Sequence, residues 1–279
     1  MLDPRRAALW QAMSLGPEWV LRRPAAPAAD LAAEVPAAGA ATEAPLRETA
    51  TAAPPALAEA EARTLQAAGN ASSPDRDPFS VDSRARAIAA MDWPALEQAV
   101  ASCTACALCA TRTQTVFGVG CRTADWMLVG EAPGAEEDAR GEPFVGQAGR
   151  LLDNMLAAVG RSRAADAAKP VFIANVLKCR PPGNRNPQPE EVAACEPFLL
   201  RQIELVRPRL LLVMGRYAAQ SVLRTEAPIS ALRGRVHRIA VAGRDVPVVV
   251  TYHPAYLLRN LADKAKAWAD LCLAQDAAA

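Results

Sequence analysis

The sequence predicts an α/β protein: a three-layer α/β/α sandwich around a central, mainly parallel four-stranded sheet, preceded by a disordered N-terminal tail. Two observations carry this. From Asp92 onward, short apolar runs of strand length alternate with longer segments of helical spacing, a pattern that implies a sheet covered by helices. Before that point, residues 24–90 consist largely of Ala, Pro, Glu, Thr and Ser. They hold too few large apolar groups to offset chain entropy and read as a disordered linker.

Residues 5–13 have the spacing of a short amphipathic helix, which Gly16-Pro17 ends. The apolar run 15–21 carries a second Trp, so residues 1–23 form a separate aromatic segment on a long tether. The domain proper is expected over 91–279. Asp92 as N-cap and Pro94 in the first turn start a helix that leads to Cys103. A buried strand follows at 126–129, ending at Gly130, then a helix at 147–159 stopped by Gly160 and a second strand at 171–176. Pro189 opens a long helix to Val206, and Glu190 and Glu191 in its first turn suit the helix dipole. A strand at 210–214, a helix at 216–223, two strands at 235–241 and 246–251 flanking Gly243, and a closing helix at 261–275 complete the reading.

Charge narrows the function classes. Residues 1–90 carry nine Arg and eleven acids, and the rest 22 basic and 19 acidic residues, for a formal net charge of +1. A nucleic-acid site must therefore be a local patch and not a global field. The apolar runs are far short of a bilayer span, and the first residues lack a secretory start, so a cytoplasmic chain without membrane contact is expected. Seven cysteines, two of them in a CxxC, then favour metal or cluster ligation over disulfides.

Three polar residues stand at the expected carboxyl ends of separate strands: Glu131, Asn175 and His253. In open parallel sheets that edge is where ligands bind. Gly130-Glu131-Ala132-Pro133-Gly134 leaves its strand as a tight turn. Its small residues let a planar ligand approach, and its N–H groups can face an anion. Gly and Pro frame Phe144, whose ring either stacks on a base or covers the sheet edge. Cys103 and Cys106 form the CxxC, and Cys179 and Cys195 lie farther on. Four such thiolates suit tetrahedral zinc or an iron–sulfur cluster, with Cys109 and Cys121 as competing ligands, and spacing alone does not choose. Cys272 reads as a packed apolar residue.

Cys103-Thr-Ala-Cys106, Gly130-Glu-Ala-Pro-Gly134, Pro143-Phe-Val-Gly146, Asn175-Val-Leu-Lys-Cys179-Arg-Pro-Pro and His253-Pro-Ala-Tyr-Leu-Leu-Arg259 occur in that order. Together they resemble the family 4 uracil-DNA glycosylases, the iron–sulfur branch of that superfamily, over about residues 93–275. The resemblance implies a 4Fe-4S cluster on Cys103, Cys106, Cys179 and Cys195, structural in role, with Cys109 outside the ligand set. It implies a monofunctional hydrolase that removes uracil from DNA and leaves an abasic site in base excision repair. The alternatives are a glycosylase for other deaminated bases and a non-catalytic iron–sulfur DNA-binding module.

Within that resemblance Phe144 stacks on the extruded base and Asn175 bonds its 4-carbonyl and imide edge. His253 serves the 2-carbonyl as charge develops there, and Gly130, Ala132 and Pro133 line the base. The better-known branch places an Asp where this chain has Ala132, which leaves Glu131 as the carboxylate nearest the attacking water. Arg180, Arg185 and Arg259 are expected DNA contacts, with Lys178, Arg233 and Arg235 as further phosphate candidates. Leu257 and Leu258 either wedge into the duplex or belong to the core. The expected partners are uracil-containing DNA, bound by a monomer, and a protein docked on residues 1–23.

Overall fold

The structure, a computed structural model, describes residues 81–278. The expectations for residues 1–80, the docking peptide and most of the linker, lie outside the described residues.

Six strands form one sheet: β1 (Val119–Gly120), β2 (Trp126–Gly130), β3 (Val171–Asn175), β4 (Leu210–Met214), β5 (Val236–Val241) and β6 (Arg244–Thr251), in the order β1-β3-β2-β4-β6-β5. The four inner strands are parallel, as the sequence predicts, and β1 and β5 add an antiparallel strand at each edge. The helices are α1 (Val81–Ala89), α2 (Trp93–Ala101), α3 (Ala135–Arg140), α4 (Gly146–Ala158), α5 (Pro189–Val206), α6 (Arg216–Leu223), α7 (Ile229–Leu232), α8 (Pro254–Arg259) and α9 (Lys264–Ala277).

The inner strands are apolar throughout because both faces of the sheet are covered. Side chains alternate between two cores. Trp126, Leu128, Ile173, Leu212 and Val249 face α4, α8 and α9, while Met127, Val129, Phe172, Val213 and Val248 face α5, α6 and α7. The chain leaves β2 toward the first core and β4 toward the second. The crevice between the carboxyl ends of these neighbours is the switch point of an open parallel sheet. Among the described residues no helix is long and apolar enough to cross a membrane.

One boundary moves. Residues 81–89, assigned to the linker by composition, form α1, which packs on α5. Its Ile88 is buried with Leu96, Val100 and Phe198, and the Arg84 guanidinium donates to the Ala194 carbonyl at 2.8 Å and lies 4.8 Å over the Phe198 ring. Two apolar residues larger than Ala, Val81 and Ile88, gave little helical pattern to read, and tertiary capture by α5 decides the outcome. Ile88→Ala should therefore lower the unfolding free energy of the domain by roughly 2–4 kcal/mol. An unchanged denaturant midpoint would place α1 outside the cooperative unit.

Candidate active site

The carboxyl edge of the sheet opens into a cavity of about 380 Å³ whose wall includes Glu131, Ala132, Pro133, Phe144, Asn175, Arg185, His253 and Arg259. Sequence positions as far apart as 131 and 259 meet there because β2, β3 and β6 all end at this edge.

Register builds the floor. Gly130 and Asn175 are direct partners across β2 and β3, and the ladder runs on past both strands through Val176 N–H to the Gly130 carbonyl (2.9 Å) and Leu177 N–H to the Glu131 carbonyl (3.0 Å). A Cβ on Gly130 would lie 2.4 Å from Asn175 Oδ1 and 2.5 Å from Phe144 Cζ. The glycine is there for space. Asn175 is 2 % exposed, and among the described residues its Oδ1 finds no hydrogen-bond donor. An orphaned buried acceptor costs about 1–3 kcal/mol, so the protein holds this amide ready for a donor it does not supply.

Phe144 packs its ring on His253, with centroids 5.3 Å apart and planes 29° from parallel. Its φ of 55° lies in the left-handed region, a strain of order 1–3 kcal/mol for a bulky residue. Glu137 secures the surrounding loops. One carboxylate oxygen accepts from Gly134 N–H and the other from Val145 N–H, each at 3.0 Å. The Gly134 N–H, expected to be open to an anion, is thus already taken.

His253 follows β6 and caps α8, and its Nδ1 accepts from Ala255 N–H at 3.2 Å. A backbone N–H can only donate, so Nδ1 carries no proton and the neutral ring presents Nε2–H as a donor. Burial, reinforced by the Arg259 cation, pulls the imidazole down to about 4, which keeps it neutral at physiological pH. Room for it comes from Gly215 at the end of β4, where a Cβ would stand 3.2 Å from His253 Cβ. Burial pushes the Glu131 carboxyl up, opposed by Arg216, and among the described residues no donor reaches that carboxylate.

Three expectations need correction. Leu257 is fully buried on the inner face of α8 and is no wedge, whereas Leu258 is 37 % exposed. Lys178 is buried, donating to the Asn175 carbonyl at 2.7 Å and to Gln202 Oε1 at 2.6 Å, so it cannot reach phosphate. Arg233 is committed to Asp270, and Arg185 stands at the cavity wall with its guanidinium paired to Glu191. Arg180 donates to Asn184 Oδ1 beside the cavity, and Arg235 and Arg259 are exposed. Glu137 and Gly215 escaped the sequence reading. Only Gly215 left a signal there, a glycine between an apolar run and a helix, as at Gly130.

The cysteines lie in a neighbouring apolar cluster. Cys179 and Cys195 are buried with Leu108 and Leu177, and Cys106 packs against them. Burial pushes the Cys106 and Cys179 thiols up, and Cys195 up to about 11. Cationic donors face two of the sulfurs: Arg112 Nη1 lies 3.2 Å from Cys179 Sγ, and Arg84 Nη2 lies 3.7 Å from Cys103 Sγ. Cys121 belongs to a different apolar cluster and contacts Thr123. Among the described residues, which include all seven cysteines, no disulfide forms, and no three His, Cys, Asp or Glu side chains are placed to hold a single metal ion.

Comparison with known proteins agrees with this arrangement. The family described as the uracil DNA glycosylase superfamily matches residues 117–272. A type-4 uracil-DNA glycosylase of Archaeoglobus fulgidus is 46% identical over 163 residues, 57% of this chain and 79% of that protein. One from Pyrobaculum aerophilum is 39% identical over 66% of this chain and 93% of its own length, and one from Thermotoga maritima is 44% identical over 59% and 82%. The chain belongs to the type-4 branch of the uracil-DNA glycosylase superfamily. The matched region of this glycosylase-family chain contains both the cavity and the loop that carries Cys179.

Two predictions follow from the geometry. Gly130→Ala should leave the thermal midpoint within a few degrees of the unsubstituted protein yet strip the cavity of activity, because the methyl displaces Asn175 and Phe144. Full activity in that variant would show the contact to be slack. His253 should titrate near 4 by NMR of its ring carbons. Its folded value lies below the ordinary value of about 6.5, so between the two the unfolded chain binds the proton and the folded chain does not. His253 therefore makes the fold less stable as pH falls through that window and has no such effect above it. A midpoint at the ordinary value would refute the neutral-donor assignment.

Proposed function

We propose that the cavity receives uracil turned out of DNA and that its residues promote hydrolysis of the N-glycosidic bond, releasing free uracil and leaving an abasic site. The observation that carries this reading is the orphaned Oδ1 of the buried Asn175. Uracil offers an imide N–H beside its 4-carbonyl, so the side-chain amide can accept from one and donate to the other. Cytosine presents the opposite order and would leave buried groups unpaired, at about 1–3 kcal/mol each. Family membership and the identities to type-4 relatives support the same substrate.

Phe144 gives the flat face for the extruded ring. Flipping costs a few kcal/mol, least at a mispair or in a single strand. As the glycosidic bond breaks, the electron pair stays on uracil and negative charge grows on its 2-carbonyl. The Nε2–H of a neutral His253 supplies a donor already oriented toward that side of the base, an arrangement worth about 3–4 kcal/mol in comparable sites. Glu131, free of protein donors and made more basic by burial, orients the water that adds to the sugar carbon. Arg259, Arg180 and the partly exposed Arg185 at the rim serve the phosphates. A DNA complex held by several such contacts weakens steeply with salt.

Cys103, Cys106, Cys179 and Cys195 would hold the 4Fe-4S cluster. Membership of the type-4 branch, and not the spacing of the cysteines, favours the cluster over zinc on these four thiolates. A buried thiol at Cys179 and a half-buried one at Cys103, each faced by a guanidinium group, suit an anionic cluster. When bound, the cluster ties the segment after α2 to the loop after β3.

Holoprotein purified without oxygen should release free uracil from deoxyuridine-containing oligonucleotides. His253→Ala and Glu131→Gln should each lose about 100-fold or more in single-turnover rate. If intact, cluster-loaded protein leaves such oligonucleotides whole, the reading is wrong. Release of hypoxanthine or xanthine in preference to uracil would move the substrate to other deaminated bases. Cys195→Ala should lose iron and visible absorption while Cys109→Ala keeps both, and the reverse result would reassign the ligands.

A further inference from the structure

A chain bent into the left-handed region at Phe144 turns its carbonyls out of any regular ladder, and something must satisfy them. Arg163, in the loop between α4 and β3, does so. Its Nη2 donates to the Phe144 carbonyl at 3.0 Å and its Nη1 to the Pro143 carbonyl at 3.2 Å. The guanidinium is itself anchored, with Nε 2.6 Å from Asp153 Oδ1 on α4 and Nη1 3.4 Å from Glu142. Its side chain is 18 % exposed, so the two bonds to backbone carbonyls are partly shielded from water, while the Asp153 carboxylate stands at the surface. Opposite, Gly149 leaves the space this carbonyl occupies, since a Cβ there would fall 1.8 Å from Phe144 O.

We propose that Arg163 is the positioning residue that holds the turn at Phe144 and thereby fixes the angle at which the ring meets a base in the cavity. The proposal rests on the reading of Phe144 as the stacking face. Arg163 does not line the cavity, so it acts through the backbone alone. The planar fork is essential, because two carbonyls and a carboxylate must be reached at once in fixed directions. A lysine ammonium keeps the charge without that geometry.

The test uses full-length, cluster-loaded protein with labelled histidine. The chain has two His, and His253 lies under the Phe144 ring, so its ring-proton shifts report where Phe144 sits. Arg163→Lys should move the His253 signals and leave those of His237 in place. It should lower kcat/KM for uracil excision by roughly 10- to 100-fold. In a Phe144→Ala background the same change should cost no more than about twofold, because the ring it positions is gone. Unmoved His253 signals, or an equal loss in both backgrounds, would overturn the proposal.

Should Arg163→Lys fail to fold, Asp153→Ala removes the anchor and keeps the fork. It should move the same His253 signals, and their constancy would likewise overturn the idea. If the unsubstituted protein releases no uracil, the proposed function fails by itself and the NMR comparison still decides the role of Arg163.

Discussion

The site depends on a side chain that is not there. Gly130 stands opposite Asn175 in the parallel register of β2 and β3, and the space where its Cβ would be is bounded by the Asn175 amide and the Phe144 ring. Register is therefore a constraint on function as well as on folding. Because strand side chains alternate, a slip of one residue would bring a side chain from β2 into this space and turn the two cores inside out. The close packing of these particular side chains against a helix layer on each face opposes such a slip, and so keeps the floor of the cavity open.

On this floor the electrostatics favour a neutral guest. His253 is uncharged because it is enclosed and because Arg259 stands nearby, and Asn175 is polar without charge. Glu131 is the carboxylate whose ionised form burial opposes. A permanently cationic histidine would bind an anion well and would have to be desolvated in the resting state. A neutral donor gains most when charge appears on its acceptor, which is when a leaving base becomes anionic. On the proposed function, its contribution falls on the transition state more than on the bound ground state.

Much of this was legible in the sequence, for physical reasons. Strands buried on both faces read as unbroken apolar runs, and Asp92 marks a helix start with a side chain that does accept from Ala95 N–H at 3.0 Å. Glu131, Asn175 and His253 stood out because strand ends are visible and polar residues there have few structural reasons to exist. What stayed hidden acts through partners distant in sequence. Lys178 read as a surface cation because Gln202, which buries it, lies 24 residues on. Arg163 and Glu137 work on backbone atoms, which leave no trace in residue identity. Leu257 and Leu258 are adjacent and alike, and only the pitch of α8 sends one inward and the other out.

The buried Lys178 also shows why the cysteine cluster cannot be treated as a remote ornament of the cavity. Beyond β3 the chain runs from Asn175 to Cys179 without regular structure, where backbone groups would ordinarily be free to wander. Here the Lys178 ammonium bonds the Asn175 carbonyl and Gln202, Gln202 Nε2 bonds the Phe117 carbonyl at 2.9 Å, and Val116 N–H bonds the Lys178 carbonyl at 2.8 Å. Three residues separate the Asn175 amide from the buried Cys179 thiol, and the bonds that hold this stretch restrain both. An amide held at an unsatisfied angle needs such restraint, since a flexible loop would rotate it to the nearest available donor and close the site on itself. The cysteine cluster and the cavity edge are joined through a lysine that has given up its solvent contacts.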